Sequence, residues 1–223
     1  MKTVSNKHDE LGKCFAQHLS AMTSDISPKQ IDRLWQYIVT RYGEPQRAYH
    51  TLDHIEQLLV QFENIKQVLS EPHIIALALY YHDAIYNPTR SDNELKSAEL
   101  ATDALSPYLS TEQCQQIYAL IMMTANHQID VLIDRDKYND AAYLLDMDLS
   151  ILGAPRSAYE QYAKAIRQEY KHVADDSYRD GRTAVLQGLL AHPKLYLTDH
   201  YYEQLETQAR DNIKRELTSL AAL

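Results

Sequence analysis

Apolar residues recur at three- and four-residue intervals along nearly every segment of the chain, and no long alternating β-branched run interrupts them. That period is helical, so the pattern predicts an all-α protein, a helical bundle with short connections. A first helix is expected over roughly Asp9 to Met22. Ser27-Pro28-Lys29-Gln30 reads as a helix start, with Ser27 as N-cap, Pro28 at the first helical position and Gln30 placed for a capping box. That helix runs to about Tyr42, and Gly43-Glu44-Pro45 ends it. Thr51 is the expected cap of a helix to about Leu69, and the next starts near Pro72 and ends at His82-Asp83. Ser91 and Glu94 have capping-box spacing and open a helix to about Leu105, which Ser106-Pro107 breaks. Ser110 to Gln113 starts another, running to about His127. Gln128 to Asp140 is polar and acidic and reads as a loop, followed by a helix from Ala141 to Met147. Further helices are expected from Pro155 to about Val173, from about Asp176 to Ala191, and from roughly Thr198 to Leu220. The short connections predict one domain over 1–223, with a motif-bearing core at about 30–155 and C-terminal helices packing on it.

Composition narrows the class. The 223 residues are 45% hydrophobic and 24% charged, ordinary for a globular protein, with only 5 Gly. The net charge of -9 argues against binding long nucleic acid, which needs clustered Lys and Arg. Cys14 and Cys114 are too few for a disulfide framework and predict reduced thiols in a cytoplasm. The first ten residues lack the apolar core of a signal peptide, and no apolar run is long enough to span a bilayer, so no membrane partner is expected. Tyr is heavily used, 17 residues against 2 Phe and 1 Trp.

The candidate chemistry lies where an apolar run, Leu77 to Tyr81, leads straight into His82-Asp83, followed by Tyr86, Asn87 and Pro88. An adjacent imidazole and carboxylate at the end of a buried helix suit Mg, Mn, Fe, Co, Ni or Zn. Two further segments supply partners: His50 and His54 around a helix start, and Asp146 and Asp148 near a helix end. Two imidazoles and two carboxylates with open positions would make a Lewis-acid centre, and a nearby His could serve as general acid. The plain alternative is a hydrogen-bonded polar network in the core.

These residues resemble the HD superfamily of metal-dependent phosphohydrolases. Tyr49-His50-x-x-x-His54 is similar to a segment of the cyclic-nucleotide phosphodiesterases, distant members of that superfamily. His82-Asp83 matches the signature pair, and Asp148-Leu149-Ser150 resembles the segment carrying their last ligand. A bacterial group described as predicted metal-dependent HD phosphohydrolases pairs the same segments with Asn93-Glu94-x-x-Ser97-Ala98 and Asp146-x-Asp148-Leu149-x-x-Leu152-Gly153. Ile166-Arg167-x-Glu169-Tyr170, Gly181-Arg182 and Ala209-Arg210-x-Asn212 look like its C-terminal segments. The resemblance implies an HD-domain bundle holding a divalent metal through His54, His82, Asp83 and Asp148, with Asp146 as the other candidate for the last position; the phosphodiesterases hold a second metal bridged through the signature Asp, but this chain offers His127 and no obvious second partner, so one metal per chain is expected. It implies His50 as the proton donor and hydrolysis of a small phosphate ester or nucleotide by metal-activated water. Two alternatives belong beside it: a non-catalytic regulatory protein that binds metal and nucleotide, and an HD-type di-iron oxygenase, for which the second-metal His set is thin.

Around this centre, Glu94 is a candidate to orient water or a ligand His, though its spacing from Ser91 fits a capping box equally well. His127 is a candidate substrate-facing or supporting residue; the alternative is a cation at a helix C-terminus. Arg167, Arg182 and Arg210 are candidate phosphate clamps, and Lys96 a weaker one, against ordinary ion pairs and a solvated helix face. His8, His18, His73, His172, His192 and His200 are assigned no role in this centre.

Overall fold

From Ile74 to Tyr81 every residue is buried, eight in succession. A helix that is apolar all round must sit in the middle of what it packs with. The structure, a computed structural model, describes residues 4–129 and 135–222. Its helices are α1 (Val4–Met22), α2 (Pro28–Tyr42), α3 (Leu52–Ile65), α4 (Pro72–Tyr81), α5 (Asn93–Leu105), α6 (Thr111–Thr124), α7 (Arg135–Leu149), α8 (Arg156–Glu169), α9 (Asp175–Ala191) and α10 (Asp199–Ala221). Short 3-10 turns follow α3 at Lys66–Val68 and α7 at Ser150–Gly153. Among the described residues there is no strand, as the sequence predicts, and no helix is long and apolar enough to cross a membrane.

Where the sequence pattern suggests one domain, the chain divides into two compact units, Met1–Leu144 and Leu145–Leu223. Helix α7 begins in the first and ends in the second.

In the first unit, α4 packs against α1, α3, α5 and α6. Tyr80 ties α4 to α1 by donating from its hydroxyl to the Leu11 carbonyl at 2.7 Å. Phe15 and Trp35 both meet the Tyr80 ring edge-on, at 5.2 and 6.0 Å. The N-terminus of α4 has no cap from its own preceding residue. Asp140 of α7 takes that role, its carboxylate accepting from Ser70 N and Glu71 N at 2.9 and 2.7 Å.

In the second unit, α10 packs against the 3-10 turn Ser150–Gly153 and against α9, and α8 packs on the same turn. The buried Asn212 amide donates to the carbonyls of Leu152 and Ala154, both at 2.8 Å. A Cβ on Gly153 would lie 2.6 Å from Leu205 Cβ and 3.0 Å from the Leu205 carbonyl, so only glycine lets α10 approach this closely.

The predicted helix starts hold wherever the cap is local. Ser27 and Gln30 form a reciprocal capping box, as do Ser110 and Gln113. Thr51 accepts from Asp53 N, and Thr198 from Tyr201 N. Two expectations change. The Ser91–Glu94 box does not form: α5 starts at Asn93 after Asp92, without a side-chain cap. The segment read as a loop to Asp140 is helical from Arg135, and residues 130–134 of it lie outside the described residues. Its polar pattern misleads because Tyr138 and Asn139 face solvent while Asp140 is spent on the α4 terminus.

Gly153→Ala should destabilise the protein by about 1–3 kcal/mol, the cost of forcing a methyl into a closed contact. A lowered urea midpoint at unchanged slope would show it; an unchanged midpoint would mean that α10 can draw back freely.

Candidate metal centre

Helix α4 ends at Tyr81, and the chain turns through His82 to Asn87 while still largely buried. Irregular backbone inside a protein must find hydrogen-bond partners for its polar groups. Here side chains provide them. The Arg47 side chain, with no exposed surface, donates from Nη1 to the carbonyls of His50 and Asp83 at 2.9 and 2.8 Å and from Nη2 to that of Ala84 at 2.9 Å. Arg41 Nε donates to the same Ala84 carbonyl. Ser97 bonds both the N–H and the carbonyl of Ile85, and Gln46 donates to the Tyr86 carbonyl. Asn93 accepts from Asn87 N and donates to Asn87 O. That use of Asn93 is why α5 begins there rather than at a Ser91 box.

The clamp fixes three imidazoles and a carboxylate around one point. His54 stands in the first turn of α3 and His82 at the end of α4; each is 2% exposed. Their Nε2 atoms are 3.3 Å apart. Asp83 Oδ2 lies 3.0 Å from His82 Nε2, 3.8 Å from His54 Nε2 and 3.9 Å from His50 Nε2. His82 Nδ1 is 2.8 Å from the Leu79 carbonyl, which can only accept, so Nδ1 carries the proton. In the neutral ring, Nε2 then turns a lone pair toward a carboxylate and a second imidazole. A proton on one of these atoms, or a metal ion between them, would satisfy the meeting of acceptors. For bonds of about 2.1 Å, neighbouring ligand atoms stand about 3.0 to 3.4 Å apart in octahedral and tetrahedral sites. His54–His82 at 3.3 Å and His82–Asp83 at 3.0 Å are of that size, while Asp83 stands farther from His54 and His50, and the carbonyl-anchored imidazole is a common support of metal ligands.

Asp148, the carboxylate that the sequence offers as the last ligand, lies near the end of α7 in the second unit. Asp146 is differently employed. It is 1% exposed, and its carboxylate accepts from Leu197 N, Thr198 N and Thr198 Oγ1 at 2.7, 2.8 and 2.6 Å, holding the start of α10. Burial pushes its carboxyl pKa up, and these hydrogen bonds pull it back. Of the two aspartates, Asp146 is thus engaged by the start of α10.

His50 is partly exposed and stacks on Tyr86 with centroids 4.0 Å apart. Glu94 sits in the first turn of α5, and Lys96 on the same helix pairs with Glu99 at 2.7 Å. His127 follows the end of α6 in a left-handed conformation, φ 53°, uncommon for a residue with a Cβ. The three arginines each have partners within the second unit. Arg182 pairs with Glu216 at 2.8 and 3.1 Å and approaches Tyr162. Arg210 pairs with Glu206 and donates to the carbonyls of Leu190, His192 and Pro193. Arg167 closes the end of α8 on the Tyr170 and Val173 carbonyls and pairs with Asp175. These contacts account for the three guanidiniums without a phosphate.

The sequence reading gives no role to Arg47, Gln46, Asn93 or Ser97, which build the floor of the centre. Asn93 and Ser97 stand in the motif segment Asn93-Glu94-x-x-Ser97-Ala98, and Arg47 and Gln46 are signalled only by their position beside the His50 segment. Comparison of the chain with protein-family models, with curated proteins and with solved structures finds no match.

Arg47→Lys should lower divalent-metal affinity about 10- to 100-fold, because a single ammonium cannot reach three carbonyls at once. Calorimetric titration with Mn²⁺ or Zn²⁺ reads this, and unchanged affinity would show the clamp to be unnecessary. The two aspartates should separate cleanly. Asp146→Asn should cost about 1–3 kcal/mol in urea unfolding with metal content intact, whereas Asp148→Asn should weaken metal at least about tenfold with little change in midpoint.

Proposed function

We propose that the chain is a metal-dependent phosphohydrolase acting on a small phosphate ester or nucleotide, with one divalent ion per chain. The observation that carries this reading is the meeting of His54 Nε2, His82 Nε2 and Asp83 Oδ2 at 3.0–3.8 Å, and Asp148 is the further ligand that the sequence offers. A divalent ion held there would supply Lewis acidity toward a phosphoryl oxygen. His54 and His82 are buried, whereas the side chains of Asp83 and His50 are 14% and 16% exposed, so a substrate would come in on the side of these two. His50 holds its ring against Tyr86 with Nε2 toward Asp83, and its role is to give a proton to the leaving oxygen. The net charge of -9 favours a small phosphate compound over a polynucleotide. Cys14 and Cys114 are unpaired thiols, in keeping with a reducing cytoplasm.

Metal analysis of the purified protein, with a hydrolysis screen over nucleotides and generic phosphate esters in Mn²⁺, Mg²⁺, Co²⁺ and Ni²⁺, tests this. His82→Ala should lose both metal and turnover. His50→Ala should keep the metal and lose about 10²- to 10⁴-fold in kcat. Bound metal without turnover on any ester would replace the hydrolase with a regulatory metal-binding protein. Two irons per chain would replace it with an oxygenase.

A further inference from the structure

A second pair of imidazoles meets inside the first unit. His18 lies on α1 and His73 in the first turn of α4, with their Nδ1 atoms 3.0 Å apart. Their rings are 5.2 Å apart at 60°. His18 presents its ring edge-on to the buried Phe62 ring of α3 at 5.3 Å, which fixes its plane. Burial, and then the neighbouring His73, hold the His18 pKa down to about 4, so this ring is neutral at neutral pH and has a lone pair to offer. Cys14 is four residues before His18 on α1, on the same helix face, and is likewise half-buried. The Glu63 carboxylate of α3 acts on both Cys14 and His18, so it belongs to the same neighbourhood, with Lys66 paired to it at 2.5 Å.

We propose that His18 and His73 form a second transition-metal site, independent of the first, with Cys14 swinging its thiol toward the pair as third donor. The nitrogens already stand at the separation of neighbouring ligands on a zinc-sized ion, about 3.0 to 3.4 Å. Two imidazoles and a thiolate select a borderline ion such as Zn²⁺ or Co²⁺ over Mg²⁺ or Ca²⁺. On binding, a metal–sulfur bond forms and the thiol proton leaves to solvent. A plain hydrogen bond between the rings uses one proton and asks nothing of Cys14, which is where the two readings part.

Co²⁺ alone is the probe, in the full-length His82→Ala chain, so that failure of the first centre or of the hydrolase reading does not touch the result. One equivalent should bind with a thiolate-to-cobalt charge-transfer band. His18→Gln and His73→Gln, each keeping a polar amide and checked for helicity, should weaken it at least about tenfold. Cys14→Ser should keep binding and lose the band. In the unsubstituted protein, paramagnetic Co²⁺ should broaden the ring resonances of His18 and His73. Affinity unchanged in both Gln variants, or no broadening at either ring, would leave a hydrogen bond only and overturn the site.

Discussion

The structure of the candidate centre depends on how the backbone from Asp83 to Asn87 is satisfied. This stretch has Ala84 and Tyr86 buried, Asp83 and Ile85 half-buried and Asn87 exposed, so part of its backbone is shut off from water. Arg47, Arg41, Ser97, Gln46 and Asn93 serve its polar groups instead. Because Arg47 also holds the His50 carbonyl, one guanidinium fixes two chain segments that each deliver a site residue. The candidate ligand atoms of these segments are therefore fixed by the protein itself, so a bound ion would cost little conformational entropy.

The same economy explains why two aspartates two residues apart do different work. Asp146 meets three donors at the start of α10 and is consumed by them, which leaves Asp148 as the ligand candidate of the pair. In the second unit, Gly153, Asn212, Arg182 and Arg210 are accounted for by close packing, carbonyl bonding and ion pairs. Gly153 and Asn212 build the turn after α7, while Arg182 and Arg210 are held by Glu216 and Glu206. The tyrosine bias has a similar account: Tyr80 and Tyr196 bury their rings and reach a remote backbone carbonyl, and Tyr159 reaches Glu216, contacts Phe cannot make.

What the sequence determined by itself is everything governed by neighbours along the chain. The three- to four-residue period fixed the all-α class, and Ser27, Thr51 and Ser110 announced their helices because a cap bonds an N–H two or three residues away. His54, His82 and Asp148 were legible as metal-ligand types at helix ends. Tertiary structure decided the rest: that Asn93 serves Asn87 rather than opening a capping box, that Asp140 caps a helix seventy residues earlier, that Arg47 carries the floor of the centre, and that Asp146 is spent. Each of these is a side chain paired with a distant backbone group. The pairing leaves no period or spacing in the chain, since it depends only on which surfaces the packed helices bring together.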